Sequence, residues 1–152
     1  MANQIHNKNI ESETVITSPI DLRKMISVSE QGKENILSSR KTVEDIFLGN
    51  DERLIVILGP CSIHDIKAAK EYALKLQSLQ KEVEKSIYII MRVYFEKPRT
   101  TVGWKGLISD PDMDNSLDVE KGLRQGRELL VWLAELEIPT ATEALNPITP
   151  QY

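Results

Sequence analysis

Residues 87–106 read IYIIMRVYFEKPRTTVGWKG, and the rest of the chain is best understood outward from them. Ile87 to Val93 is a hydrophobic, strand-like run. The loop that follows is basic: between Met91 and Gly106 stand Arg92, Lys97, Arg99 and Lys105 against a single acid, Glu96. That is a local charge of +3 in a chain whose formal net charge is −4. A concentrated positive loop at the end of a buried strand suits phosphate and carboxylate groups, because arginine forks bind such oxyanions bidentately and lysine adds a point charge. A basic loop alone is more often a solvated surface. Here Tyr94, Phe95 and Trp104 and the breakers Pro98 and Gly103 interleave the charges, which marks a shaped loop.

On either side the pattern alternates strand and helix. Upstream, Leu54 to Leu58 is apolar on both faces, as strands of a covered parallel sheet are. Asp65 then caps a helix to about Val83, with Ala69, Tyr72, Ala73, Leu76 and Leu79 facing inward. Further back, Ser18-Pro19-Ile20-Asp21 is a helix start of serine cap, proline in the first turn and an acid, predicting a short helix to about Ile26. A second helix fits Glu30 to Leu48, with Ile36, Leu37, Val43, Ile46 and Phe47 on one face and Gly49 as its stop. Residues 1 to about 17 read as an extended polar arm.

Downstream, the loop from Tyr94 to Asn115 is long enough to be functional. A helix fits Leu117 to Leu136 through Val119, Leu123, Leu130 and Leu133, with Trp132 packing beside them and Trp104 anchoring the loop. Pro139 to Glu143 is the third strand. The order is helix, helix, then β-α-β-α-β with crossovers that permit parallel pairing. Pattern alone allows a doubly wound sheet as well as a barrel.

Bulk properties narrow the function classes. The chain has 152 residues, 41% apolar and 28% charged, with a pI near 5.3, which is the composition of a globular protein. Its acidic balance argues against nucleic acid as a partner, since no basic stripe extends beyond the one loop. One cysteine forms no internal disulfide, and there is no apolar leader segment or membrane-spanning run. The expectation is a cytoplasmic protein without a membrane partner.

A second motif lies at the end of the first strand: Gly59-Pro60-Cys61-Ser62-Ile63-His64-Asp65. With the run from Met91 to Leu107, the DPDMDNS of Asp110 to Ser116, and the segments Thr142 to Leu145 and on to Tyr152, it resembles the microbial 3-deoxy-D-arabino-heptulosonate 7-phosphate (DAHP) synthases regulated by aromatic amino acids. The resemblance covers roughly residues 36 to 152 and, more loosely, the arm. It implies a (β/α)8 barrel, which takes about 250 residues. The chain then holds about two and a half βα units in residues 51–152, preceded by an extension of arm and helices in residues 1–50. It is expected to be the N-terminal part of a longer protein, or a truncated frame, and inactive by itself.

The same resemblance implies the chemistry: condensation of phosphoenolpyruvate with erythrose 4-phosphate and water, releasing phosphate. A lone cysteine beside a strand is usually a small buried hydrophobe, but the matching family cysteine is a metal ligand, and so Cys61 is expected to bind a divalent ion (Mn2+, Fe2+, Zn2+ or Co2+). Its co-ligands, a histidine, a glutamate and an aspartate, fall beyond this chain. His64 is expected to support the loop or approach the site as an outer group; His6 carries no signal. Arg92 and Lys97 match residues that contact phosphoenolpyruvate, Arg99 and Thr100 those that hold the sugar phosphate, and Glu143 one near the phosphoenolpyruvate phosphate or the attacking water.

An effector pocket is expected near the arm and the segment after the third strand, at Ala144, Pro147, Pro150 and Gln151. Ala144, where phenylalanine-sensitive members carry phenylalanine, favours tyrosine as effector. A homo-oligomer, dimer or tetramer, is expected of the full-length protein. Two rivals are a sister enzyme of the 3-deoxy-octulosonate 8-phosphate type, against which Lys97 to Thr101 (KPRTT) argues, and a non-catalytic interaction piece.

Overall fold

The computed structural model describes residues 13–99 and 102–152. Thr100 and most of the arm, including His6, lie outside the described residues. Three parallel strands, β1 (Leu54–Leu58), β2 (Ile87–Arg92) and β3 (Thr140–Ala141), stand in the order β1-β2-β3. They are joined by the helices α3 (Ile66–Val83) and α4 (Val119–Glu135). Before them come α1 (Pro19–Met25) and α2 (Glu30–Phe47), and a 3-10 turn at Thr149–Gln151 closes the chain. Register is tight between β1 and β2, with Leu54 opposite Ile87 and Leu58 opposite Met91. Met91 and Arg92 then pair with Thr140 and Ala141. Strands adjacent in sequence and in space, the first two each followed by a helical crossover, form the opening of a (β/α) barrel winding.

Each helix begins where its cap chemistry says. The Ser18 side chain accepts from Asp21 N–H, Ser29 from Gly32 N–H, Asp65 from Ala68 N–H and Asp118 from Lys121 N–H. Gly49, at φ +77°, ends α2 as expected. The core lies between the sheet and the two crossover helices, where Ile89 and Met91 of one β2 face, with Val93 just beyond the strand, meet Ala69, Ala73 and Leu76 of α3 and Leu123, Leu129 and Leu133 of α4. Leu22 of α1 is 1% exposed in the same core. Helices α1 and α2 are therefore packed against this core.

The long loop is pinned. Phe95, Leu107 and Ile108 are buried in the core, and Glu96 bridges Gly106 in antiparallel fashion. The Trp104 indole donates to Asp110 O at 2.6 Å, the anchoring role anticipated for it. Trp132 packs against the core, with the Lys70 ammonium 5.2 Å over its ring.

Three expectations need correction. Leu37 and Phe47 of α2 and Leu79 of α3 are exposed, so neither helix buries the whole stripe that periodicity assigns it. The reason is geometric: α2 seats on α4 through its first half, where Asn35 Nδ2 donates to Ala134 O at 3.0 Å. β1 is an uncovered edge, with Leu54 71% and Ile57 55% exposed, although its composition is that of a strand covered on both faces. The third strand is two residues rather than five: its paired residues are Thr140 and Ala141, and β2 ends at Arg92, with one further bond from Val93 N–H to Ala141 O at 2.8 Å.

Close approach fixes one glycine. A Cβ on Gly122 would lie 2.5 Å from Leu107 O and 2.6 Å from the Ile108 carbonyl carbon, so α4 rests directly on the loop backbone. Gly122→Ala should force the two apart and cost about 1–3 kcal/mol, as overpacking does, read as a lowered urea midpoint.

Two acids tie the N-terminal segments down. Thr17 N–H and Oγ1 donate to Glu120 at 2.7 and 2.5 Å, and Ser29 N–H and Oγ donate to Glu135 at 3.0 and 2.7 Å. The hydroxyl bonds first, then the amide bonds, hold both carboxyls below the ordinary glutamate value of 4.5. A depressed native value stabilises the fold above that ordinary value, and the gain is lost as pH falls through the native one. The Thr17 and Ser29 amide resonances should therefore begin to move only below pH 4.5; a transition at or above that pH would contradict the pairing.

Candidate functional site

The ends of β1 and β2 meet through their loops. Gly59 follows β1 immediately, and a Cβ there would stand 2.6 Å from Arg92 O and 3.0 Å from Arg92 N. Only a glycine admits that approach without displacing one strand end. Arg92 exploits it: Nε donates to Pro60 O at 3.0 Å and Nη2 to Gly59 O at 2.9 Å. The guanidinium lies 5.3 Å over the Tyr94 ring, and Ile63 N–H donates to Tyr94 O at 2.8 Å. The loop after one strand is thus sewn to the loop after the next.

Lys97 completes the join. Its Nζ lies 3.1 Å from Cys61 Sγ and 3.2 Å from Cys61 O. That ammonium, by its hydrogen bond first and its charge second, holds the Cys61 thiol below its ordinary value; Arg92 and Arg99 add smaller contributions. Cys61 is exposed, so the burial expected of an inert cysteine is absent, and the thiol has the electropositive, accessible setting of a reactive or metal-binding one. Lys97 N–H donates to Lys105 O at 3.0 Å, and Lys105 Nζ to Arg99 O at 3.3 Å. Lys97 and Arg99 are thereby tied across the loop to Lys105.

The structure brings Cys61, Arg92 and Lys97 together, with Arg99 close enough to act on the Cys61 thiol. Glu143 lies elsewhere, at the rim of a cavity of about 280 Å³ that Pro150 and Gln151 also line. Ala144 and Pro147 are exposed and do not line that cavity, although Gln151 Nε2 donates to Pro147 O at 2.8 Å. His64 is exposed. Among the described residues no three His, Cys, Asp or Glu side chains converge as a metal cage.

One residue that sequence reading passed over links the two regions. Glu96, the single acid of the basic loop, accepts from Asn146 Nδ2 at 2.9 Å and from Thr149 Oγ1 at 2.9 Å. The segment after β3 is thereby clamped to the residue next to Lys97. An acid alone among cations was the available signal. Gly59 stands within a motif legible in the sequence, whereas its contact with Arg92 is a tertiary feature that no local pattern records.

A test of the thiolate is direct. Lys97→Gln should raise the Cys61 pKa toward its ordinary value and slow alkylation by iodoacetamide at neutral pH. An unchanged rate–pH profile would separate Lys97 from the thiol.

Comparison with known proteins agrees with this architecture. A family model described as the DAHP synthetase I family matches residues 22–152. The chain is 52% identical over 148 residues to the Tyr-sensitive phospho-2-dehydro-3-deoxyheptonate aldolase of Escherichia coli strain K12, covering 97% of this chain and 42% of that protein. It is 51% identical over 134 residues to the Phe-sensitive one of the same strain, covering 88% of this chain and 38% of that protein. Among solved structures, the phospho-2-dehydro-3-deoxyheptonate aldolase of Francisella tularensis SCHU S4 superposes with a TM-score of 0.90 at 52% identity, over 95% of this chain and 42% of its own. The chain therefore spans about 42% of the length of relatives it matches nearly end to end. No helix among the described residues is long and apolar enough to cross a membrane.

Proposed function

Since the chain belongs to the DAHP synthetase I family, we propose that it forms the N-terminal part of an enzyme that condenses phosphoenolpyruvate with erythrose 4-phosphate and water to DAHP and phosphate. The observation that carries this reading is the convergence of Arg92, Lys97 and Cys61 at the ends of adjacent parallel strands. That end of a barrel is where catalytic groups gather.

Two polyanions must be held side by side against their repulsion, and fixed positive charge from several directions does this. In this reading Arg92 and Lys97 hold phosphoenolpyruvate. Arg92 spends Nε and Nη2 on carbonyls, which aims the planar fork and leaves Nη1 for an anion. Lys97 reaches between the two substrates, and Arg99 with Thr100 holds the sugar phosphate. C3 of phosphoenolpyruvate attacks the aldehyde, water adds at C2, and phosphate leaves. Glu143, on the segment after β3, serves near that phosphate or water when the rest of the barrel is present.

A divalent metal fits one donor here, the exposed Cys61 thiolate, which suits a borderline-soft ion; further ligands must come from chain beyond this segment. When bound, such an ion supplies Lewis-acid polarisation of the aldehyde. Its identity among Mn2+, Fe2+, Zn2+ and Co2+ is a matter for metal analysis. The segment after β3, with Ala144, Pro147, Pro150 and Gln151, forms the effector site of this proposal, with tyrosine as the favoured aromatic amino acid. The full-length protein is a cytoplasmic homo-oligomer in which residues 1–50 form the extension and residues 51–152 the barrel start.

Kinetics of a full-length protein carrying this segment test the assignment. Arg92→Ala should raise the KM for phosphoenolpyruvate and lower kcat, and Arg99→Ala should act mainly through erythrose 4-phosphate. Loss of one partner of a desolvated charge pair costs roughly 2–5 kcal/mol, so effects above about tenfold are expected. Near-normal constants in either variant would refute that residue's role. Cys61→Ala should fold yet lose bound metal and activity together. For the effector, inhibition by phenylalanine or tryptophan but not by tyrosine would end the tyrosine reading.

A further inference from the structure

Glu96 takes no part in the chemistry proposed above, yet it stands beside Lys97 and both its carboxylate oxygens are engaged. Oε1 accepts from Asn146 Nδ2 and Oε2 from Thr149 Oγ1, each at 2.9 Å. The orientation of the Asn146 amide is fixed. Its Oδ1 already accepts from Ile148 and Thr149 N–H at 2.8 and 2.9 Å, which leaves Nδ2 to face the acid. One carboxylate therefore grips one turn at two points. Glu96 is half-buried, and hydrogen bonds to an ionised acceptor are roughly twice as strong as neutral ones. Among the described residues, the ion pairs within 4.0 Å do not include Glu96. Its close partners are the donors of the segment after β3.

The backbone is held at the same point. Glu96 bridges Gly106, and a Cβ on Gly106 would lie 2.6 Å from Glu96 Cα. Lys97 N–H donates to Lys105 O at 3.0 Å, and Lys97 O accepts from Arg99 N–H at 2.8 Å as the chain turns at Pro98. In extended backbone, successive side chains point to opposite sides. Glu96 accordingly reaches the segment after β3, while Lys97 reaches Cys61, with Nζ 3.1 Å from Sγ. A lysine stem is flexible and carries about 2 kcal/mol of rotamer entropy. Where its ammonium lands depends on how firmly its own backbone is fixed.

We propose that Glu96 is a positioning residue for Lys97: by anchoring the basic loop to Asn146 and Thr149, it fixes the point from which the Lys97 ammonium meets phosphoenolpyruvate. This rests on the reading of Lys97 as a phosphoenolpyruvate contact and adds what aims it. Glu96 acts through Lys97 and not on the substrate itself. Its role requires the two hydrogen bonds and not the negative charge as such. Glutamine at this position keeps both, since its oxygen accepts from the Asn146 amide and its own amide donates to the Thr149 hydroxyl. Alanine keeps neither.

A double-mutant cycle in the full-length enzyme carrying this segment, read as kcat/KM for phosphoenolpyruvate, tests the role. Glu96→Ala should lower that constant about tenfold or more, since a small misplacement of a group at the reacting centre costs up to about a hundredfold. Glu96→Gln should recover most of the loss, because neutral hydrogen bonds replace charge-assisted ones. In a Lys97→Ala background, Glu96→Ala should cost no more than about twofold, as a residue that acts through Lys97 has nothing left to position. A purely structural role would make the two losses multiply. Where Glu96→Ala fails to fold, Thr149→Val, which removes one hydroxyl and keeps its shape, takes its place in the same cycle. Full additivity with Lys97→Ala, or Glu96→Gln as slow as Glu96→Ala, would overturn the positioning role alone. A near-wild-type constant in Lys97→Ala would overturn the reading of Lys97 and this role together.

Discussion

The approach of Gly59 to the Arg92 backbone governs the site. Two parallel strand ends are brought so close that no side chain fits at position 59, and the Arg92 guanidinium then has two loop carbonyls within reach. An arginine is held twice over, by its strand and by its neighbour's loop. Its planar fork is thereby oriented before any ligand arrives, which is the kind of preorganisation that makes fixed charge effective against developing charge. Cys61 and Lys97 depend on the same contact, because the carbonyl, thiol and ammonium they bring together belong to the two loops it joins.

A second join runs from Glu96 to Asn146 and Thr149. The basic loop is thus gripped on one side by the loop after β1 and on the other by the segment after β3. Its neck is buried through Phe95, Leu107 and Ile108, while its cations stay at the surface. The single acid among four cations joins segments here: its two oxygens accept from neutral donors of the segment after β3. The cavity and the thiol–ammonium pair are consequently separated by one short backbone step, from Glu96 to Lys97.

The unfinished parts of the molecule follow from the same architecture. β1 carries apolar residues on both faces yet exposes Leu54 and Ile57. Parallel strands of that composition occur where both faces are covered, and relatives that the chain matches nearly end to end extend well beyond the matched part. The exposed stripe of α2, at Leu37 and Phe47, has the same character. Periodicity counts the residues able to be buried; it does not count the neighbours available to bury them.

Local chemistry determined much of this protein from its sequence. Capping residues at Ser18 and Asp65 and the φ-permissive Gly49 set helix ends within a residue or two, since those bonds are made by neighbours in the chain. Two motifs, at Gly59 to Asp65 and Met91 to Leu107, were sufficient to point to the family and to Cys61, Arg92 and Lys97. The partners of those side chains were decided only by tertiary structure. Lys97 meets Cys61 across thirty-six positions and Thr149 meets Glu96 across fifty-three, and no periodicity records such pairings. Sequence carries the charges; their desolvation and their distances exist only once the chain has closed upon itself.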